Sequence, residues 1–225
     1  MLAMNVGFGL KYSYITSIVN TRADGVPRYD HDRVEAILTD MHDKPCLSID
    51  PRAIESRVMA LQDVDEAELT RNVFGSALLK VRYREPVARL ADRPQVALST
   101  DGVLYRSSLD LSALPTLKMP SSGPPILIAM MGSWQPACLA ALAVYSRKHY
   151  PTSAVGIEVD PRGVVCLNID SGNVILGSCD DLDSKLKTLE SRLQKNPNEL
   201  MEVKSINLTL PSAPTIVPKP GEKKS

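Results

Sequence analysis

Clustered metal ligands are missing from this sequence. Its four cysteines, Cys46, Cys138, Cys166 and Cys179, are widely scattered and no two form a CxxC. Only three histidines, His31, His42 and His149, accompany them. A structural zinc site needs ligands at short spacings, so none is expected. Cys166 and Cys179 face each other across a candidate hairpin and can form a disulfide; buried free thiols are the other reading. Net charge is also missing: Lys+Arg and Asp+Glu both number 26. A dedicated nucleic-acid binder carries a basic excess, so that class is disfavoured, although a local patch remains open. No apolar run reaches the ~20 residues that span a bilayer. The start, MLAMNVGFGLK, is apolar for about half that length and lacks the basic region of a signal peptide.

Catalytic signatures are equally scarce. There is no GxGxxG, GxxxxGK[ST], GxSxG or HExxH. The acidic pairs Asp63/Asp65 and Asp180/Asp181 lie too close in sequence to share a helix face, and the second pair suits a helix N-terminus. The histidines fall on or near polar loops. The chain is expected to be no enzyme and to bind no cofactor.

What is present is alternation and punctuation. YITSIV (14–19) is β-branched and reads as a strand. A turn follows at Asp24-Gly25-Val26-Pro27. Val34, Ile37, Leu38 and Met41 recur at helical spacing over 30–41, with Asp30 as its cap. Asp50 caps a second helix that takes Pro51 at its first position and lines Ile54, Val58 and Leu61 on one face. Strands follow at 64–69 and 77–84, around a turn at 72–75. This first unit therefore runs β-α-α-β-β. Its last strand continues into KVRYREPVARL, residues 80–90. Leu79, Val81 and Tyr83 fall on one face and Lys80, Arg82 and Arg84 on the other. The basic stripe is either a binding surface or the wet side of a half-buried sheet.

Past Pro86 the pattern changes to short strands and turns: 87–90, 96–99, an Asp101-Gly102 turn and 103–105. Residues 109–126 read as loop. A helix near 134–147 presents Leu139, Leu142 and Ala143. A hairpin turns at Asp160-Pro161-Arg162-Gly163, another turn lies at 170–173, and a helix carries Leu182, Leu186, Leu189 and Leu193. A final strand spans 203–210. The Pro- and Lys-rich 212–225 reads as a tail.

These motifs, in this order, resemble the bacterial cell-division proteins of the FtsQ/DivIB family. The resemblance rests on Ile49-Asp50, then Arg84-Glu85-Pro86-Val87-Ala88, then Asp101-Gly102-Val103-Leu104 and Leu114-Pro115. Further on it rests on Val174–Gly177, Asp181, Lys185-Leu186, Leu189 and Ile206-Asn207-Leu208. It runs from about residue 14 to 217. Asn207 and Thr209 depart from the acid and base usual in the last motif, and the strand motif at Arg84 is one residue short.

The resemblance implies an α+β chain. It places a POTRA domain at 14–86, a β-rich domain at 87–211, a tail at 212–225 and a remnant of a membrane anchor at 1–13. It implies a non-enzymatic divisome scaffold, single-pass in the cell membrane, with its soluble part extracytoplasmic. Its partners would be division proteins, among them a coiled-coil protein of the FtsB/DivIC type that adds a strand near the C-terminus. Strand addition uses an edge's unpaired N–H and C=O groups. The expected edge is Ile206–Leu210 plus Thr215–Val217, and the residues expected to carry it are Leu208, Leu210, Ser212, Ile216 and Val217. Strand alternation offers a competing placement, with Ile206, Leu208 and Leu210 facing the core. The rival class is a POTRA-type chaperone or secretion and assembly module of the cell envelope. Such proteins repeat the unit or precede a barrel, and no repeat is visible here.

Overall fold

The computed structural model describes residues 17–72, 74–120, 135–170 and 172–219. The chain is α+β and divides into two compact units between Arg84 and Glu85.

Unit 1 contains β1 (Asn20–Asp24), α1 (His31–Thr39), α2 (Pro51–Met59), β2 (Val64–Arg71) and β3 (Ser76–Tyr83). Its three-stranded sheet has the order β1-β3-β2, with β1 parallel and β2 antiparallel to the central β3. The first strand is not the β-branched run read from sequence. Residues 14–16 lie outside the described residues, Ile18 plugs the core, and pairing begins at polar Asn20. An edge strand held by parallel pairing to β3 needs only a few residues on the core side; here Ala23 packs there. Gly25 ends β1 at φ +85, and a Cβ there would stand 2.1 Å from the Val81 carbonyl oxygen, so only glycine fits.

Asp50 caps α2 as the sequence suggests, accepting the Arg52 N–H at 3.0 Å. Asp30 does not cap α1. Its carboxylate is buried and meets the Arg33 guanidinium at 3.1 Å instead. The turn from β2 to β3 is fixed by Asn72, whose Oδ1 accepts the Phe74 and Ser76 N–H groups at 3.0 Å each. The core joins Val34, Leu38 and Met41 to Ile54, Val58, Leu69, Leu79 and Val81.

Unit 2 begins with β4 (Pro86–Leu90), β5 (Val96–Ser99) and β6 (Leu104–Arg106). Next come β7 (Thr116–Lys118), α3 (Pro136–His149), β8 (Val155–Val159), β9 (Val165–Ile169) and β10 (Gly172–Gly177). It ends with α4 (Leu182–Lys195), α5 (Glu199–Glu202), β11 (Val203–Asn207) and β12 (Thr215–Pro218). All nine strands form one sheet in the order β12-β11-β10-β9-β8-β7-β4-β5-β6. β7 sits where the sequence reads as loop. It is three residues long and parallel to both neighbours, too short to show a period but enough to join β4 to β8. Leu139, Leu142 and Ala143 of α3 and Leu186 and Leu189 of α4 pack with Leu117, Ile157, Leu167, Val174 and Ile206. Burying this much apolar surface, at roughly 25 cal/mol per Å², is the main stabilising term.

The sulfur pairing differs from the expectation. Cys179 bonds to Cys138, joining α3 to the segment between β10 and α4. Cys166 is free, because the pleat turns it away from the core that its neighbours Val165 and Leu167 enter. Asp181 stands at the start of α4 in the left-handed region (φ 54) but makes no side-chain cap bond. Lys185 is fully buried and donates to the Ser178 carbonyl oxygen at 2.8 Å. Burial pulls its ammonium below the usual lysine range, while Asp180 and Asp181 pull the other way. Among the described residues no helix is long and apolar enough to cross a membrane.

Candidate partner-binding edge

β12 is the outermost strand of the unit 2 sheet, and among the described residues one of its two sides carries no neighbouring strand. From sequence, Thr215–Val217 belong to the candidate edge, although the domain division leaves them in the tail at 212–225. The structure pairs them antiparallel with β11, matching Asn207 to Thr215, Ile206 to Ile216 and Ser205 to Val217. β11 in turn runs parallel to β10, and the Leu208 N–H reaches the Ile175 carbonyl oxygen at 2.8 Å just past the strand's end. Asn207 then accepts the Thr209 N–H at 2.9 Å, and Ala213 N–H reaches Leu210 at 3.1 Å. Those two local bonds reverse the chain and bring it back along β11.

The five residues singled out from sequence separate here. Leu208 is fully buried in the core with Ile206, so it offers nothing to a partner; the alternation reading holds for these two. Leu210 is 66% exposed, because the chain has already left the strand and turned outward. Ser212 is exposed at the tip of the reversal. Ile216 and Val217 are 42% and 44% exposed on β12 itself. Directly opposed residues of an antiparallel pair share a face, so Ile216 continues the buried face of Ile206 and Val217 lies on the other. A strand laid beside β12 would cover apolar side chains on both faces. Met201, 59% exposed, was not anticipated; it becomes visible only once Lys219 is seen donating to its carbonyl oxygen.

Proline limits this edge. Pro214 and Pro218 bracket the strand, and a proline has no N–H to donate. Pairing is therefore confined to a few residues. Alternate residues between the prolines still turn N–H and C=O groups outward.

The other sequence candidates are not part of the β11–β12 segment. The basic stripe is largely compensated within unit 1. Arg82 pairs with Asp65 (2.8 Å) and Glu66 (3.0 Å), and Arg84 with Asp65 (3.2 Å). Lys80 stands in register between Glu68 and Asp24. Leu79 and Val81 are buried on the opposite face. Burial and the nearby Asp30 carboxylate push the Tyr83 phenol far above the usual tyrosine range. Asp63 is buried, whereas Asp65 is engaged by the two arginines, so this pair forms no joint acid-base site. Asp180 accepts from the Ser178 hydroxyl at 2.8 Å. His31 lies beside Glu35 (3.5 Å), His42 beside the Val19 carbonyl oxygen (3.0 Å), and His149 stacks on Tyr145 with ring centres 4.2 Å apart.

No protein-family model matches the chain, and no curated protein matches it.

Proposed function

We propose that the chain is a non-enzymatic scaffold of the bacterial divisome, of the FtsQ/DivIB kind. In this reading unit 1 is a POTRA domain that contacts division proteins, and unit 2 is the β domain that captures a coiled-coil partner of the FtsB/DivIC type. It links early and late division proteins at the septum. It works on the outer side of the cytoplasmic membrane, held by a single membrane helix.

The observation that carries the reading is the β12 edge. It is an outer strand with unpaired backbone groups, apolar residues on both faces and no charge of its own. Such an edge suits addition of one extended segment. The Cys138–Cys179 bond supports the compartment, since disulfides persist where the medium is oxidising.

The test is capture of the intact protein's partners from its own cells. Division proteins should be enriched, and a chain ending after Pro211 should lose the coiled-coil partner. Val217→Glu should weaken that capture at least about tenfold, as expected for a charge placed in a pairing edge, while the core stays folded. Undiminished capture by both variants would sink the reading.

A further inference from the structure

Unit 2 holds a second polar feature that shares no residue with the β11–β12 edge. A cleft of about 380 Å³ opens between the segment around Ser112–Pro115 and the loop after α3, beside the starts of β7 and β8. Arg89 of β4 lines it, directly opposite Thr116 of β7 in the sheet register. Arg147, exposed on the last turn of α3, lines it as well. Ser112, Thr152 and Ser153 add hydroxyls, and among the described residues the lining contains neither aspartate nor glutamate.

The Nε of Arg89 is shielded from solvent and has no hydrogen-bond partner among the described residues. A buried donor without an acceptor is costly, and a guanidinium cannot shed its proton to escape that cost. No carboxylate pairs with Arg89 among the described residues. Asp110, whose charge Arg89 feels, already holds the Ser112 N–H at 2.9 Å. The backbone at Arg89 is anchored: its own N–H is bonded to the Pro115 carbonyl oxygen at 2.9 Å, and its chain neighbours Ala88 and Leu90 are buried in the core. The fold therefore places at the cleft a guanidinium whose Nε donor is unmet, with Asp110 close enough to feel its charge but outside the lining.

We propose that this cleft binds one oxyanion, a phosphate or a carboxylate group, between Arg89 and Arg147. A guanidinium presents parallel N–H donors that match two oxygens of either group. Arg89 supplies the shielded contact, Arg147 an exposed second charge, and the hydroxyls complete the shell.

The experiment follows the Arg89 Nε–Hε resonance of the full-length, nitrogen-15-labelled protein by NMR. The protein is titrated separately with sodium phosphate, sodium acetate and sodium chloride at matched ionic strength. A saturable shift with phosphate or acetate, absent with chloride, is expected, and the salt that saturates names the group. Arg147→Ala should weaken the response about fivefold or more, the share of one charge-assisted contact. Arg89→Lys, which keeps the charge but loses the fork, should remove the accompanying shifts of the Thr116 and Ser153 amides. Should Arg89→Lys fail to fold, Arg147→Ala at its exposed position carries the comparison alone. No saturable shift with either oxyanion, or an equal response to chloride, overturns the proposal.

Discussion

β2 ends the sheet of unit 1 with eight residues and β12 ends that of unit 2 with four, yet it is the longer edge that is closed. β2 carries Asp65, Glu66 and Glu68, and Glu55 of α2 reaches over to accept the Leu69 N–H at 2.9 Å. Charges along an edge and a side chain occupying its free donors both discourage a second strand. β12 has neither device. Its strand residues are Thr215, Ile216, Val217 and Pro218, and it relies on shortness and proline alone. The difference teaches where unit 2 draws its stability. A short, exposed strand adds little burial, so the rest of the unit must hold the sheet without it.

The largest expected effect tests that inference. The Cys138–Cys179 bond closes a loop with a sequence separation of 41 residues. On the chain-entropy estimate, such a crosslink contributes about 4 kcal/mol. Replacing both cysteines by alanine should lower the protection of unit 2 amides, such as those of Leu176 and Leu189, by roughly that amount in hydrogen exchange. Unit 1 amides, such as that of Leu79, should be unchanged. Equal losses in both units would break the comparison.

The next effect separates two leucines that sequence alone could not. Leu208→Ala opens a cavity in the unit 2 core and should cost about 3 kcal/mol of its stability in denaturant unfolding. Leu210→Ala, two residues on and exposed, should stay within about 0.5 kcal/mol. Its effect should fall on partner capture instead. A large stability loss at Leu210 would mean that the reversal after β11 is packed more tightly than its exposure indicates.

This pair also marks how far the sequence could be read. Where elements are long and periodic, as in α2 and α4, composition and caps were sufficient: Asp50 holds its cap, and Leu186 and Leu189 face the core. Failures fall where tertiary pairing overrides local pattern. β1 is polar because β3 supplies its partner, and β7 is too short to have a period. β12 is short and flanked by prolines, which an edge strand tolerates, so its segment was named as an edge while the domain division left it in the tail. The disulfide was missed because Cys138 and Cys179 are brought together by helix packing rather than by a hairpin. For the candidate edge, the sequence pointed to the segment that forms the outer strand. It could not decide which residues turn inward, since the chain leaves the strand after Asn207 through side-chain bonds that no two-residue period encodes.

The smallest effect probes the closed edge directly. Glu55 is partly buried, and its Oε1 holds the Leu69 N–H, an outward donor of β2. Leu69 itself is buried, so its amide has little access to water when the carboxylate is absent. Glu55→Ala should therefore leave the donor poorly satisfied and cost about 1 kcal/mol, the usual worth of such a bond at a part-buried site. In hydrogen exchange this appears as roughly fivefold faster exchange at Leu69, with little change at Leu79 on the central strand. Glu55→Gln keeps a carbonyl acceptor and should recover most of the protection. If Leu69 exchanges at the same rate in the alanine variant, the carboxylate does not guard this edge. The acidic side chains of β2 would then have to account for its closure alone, and β2 would differ from β12 by charge rather than by an occupied donor.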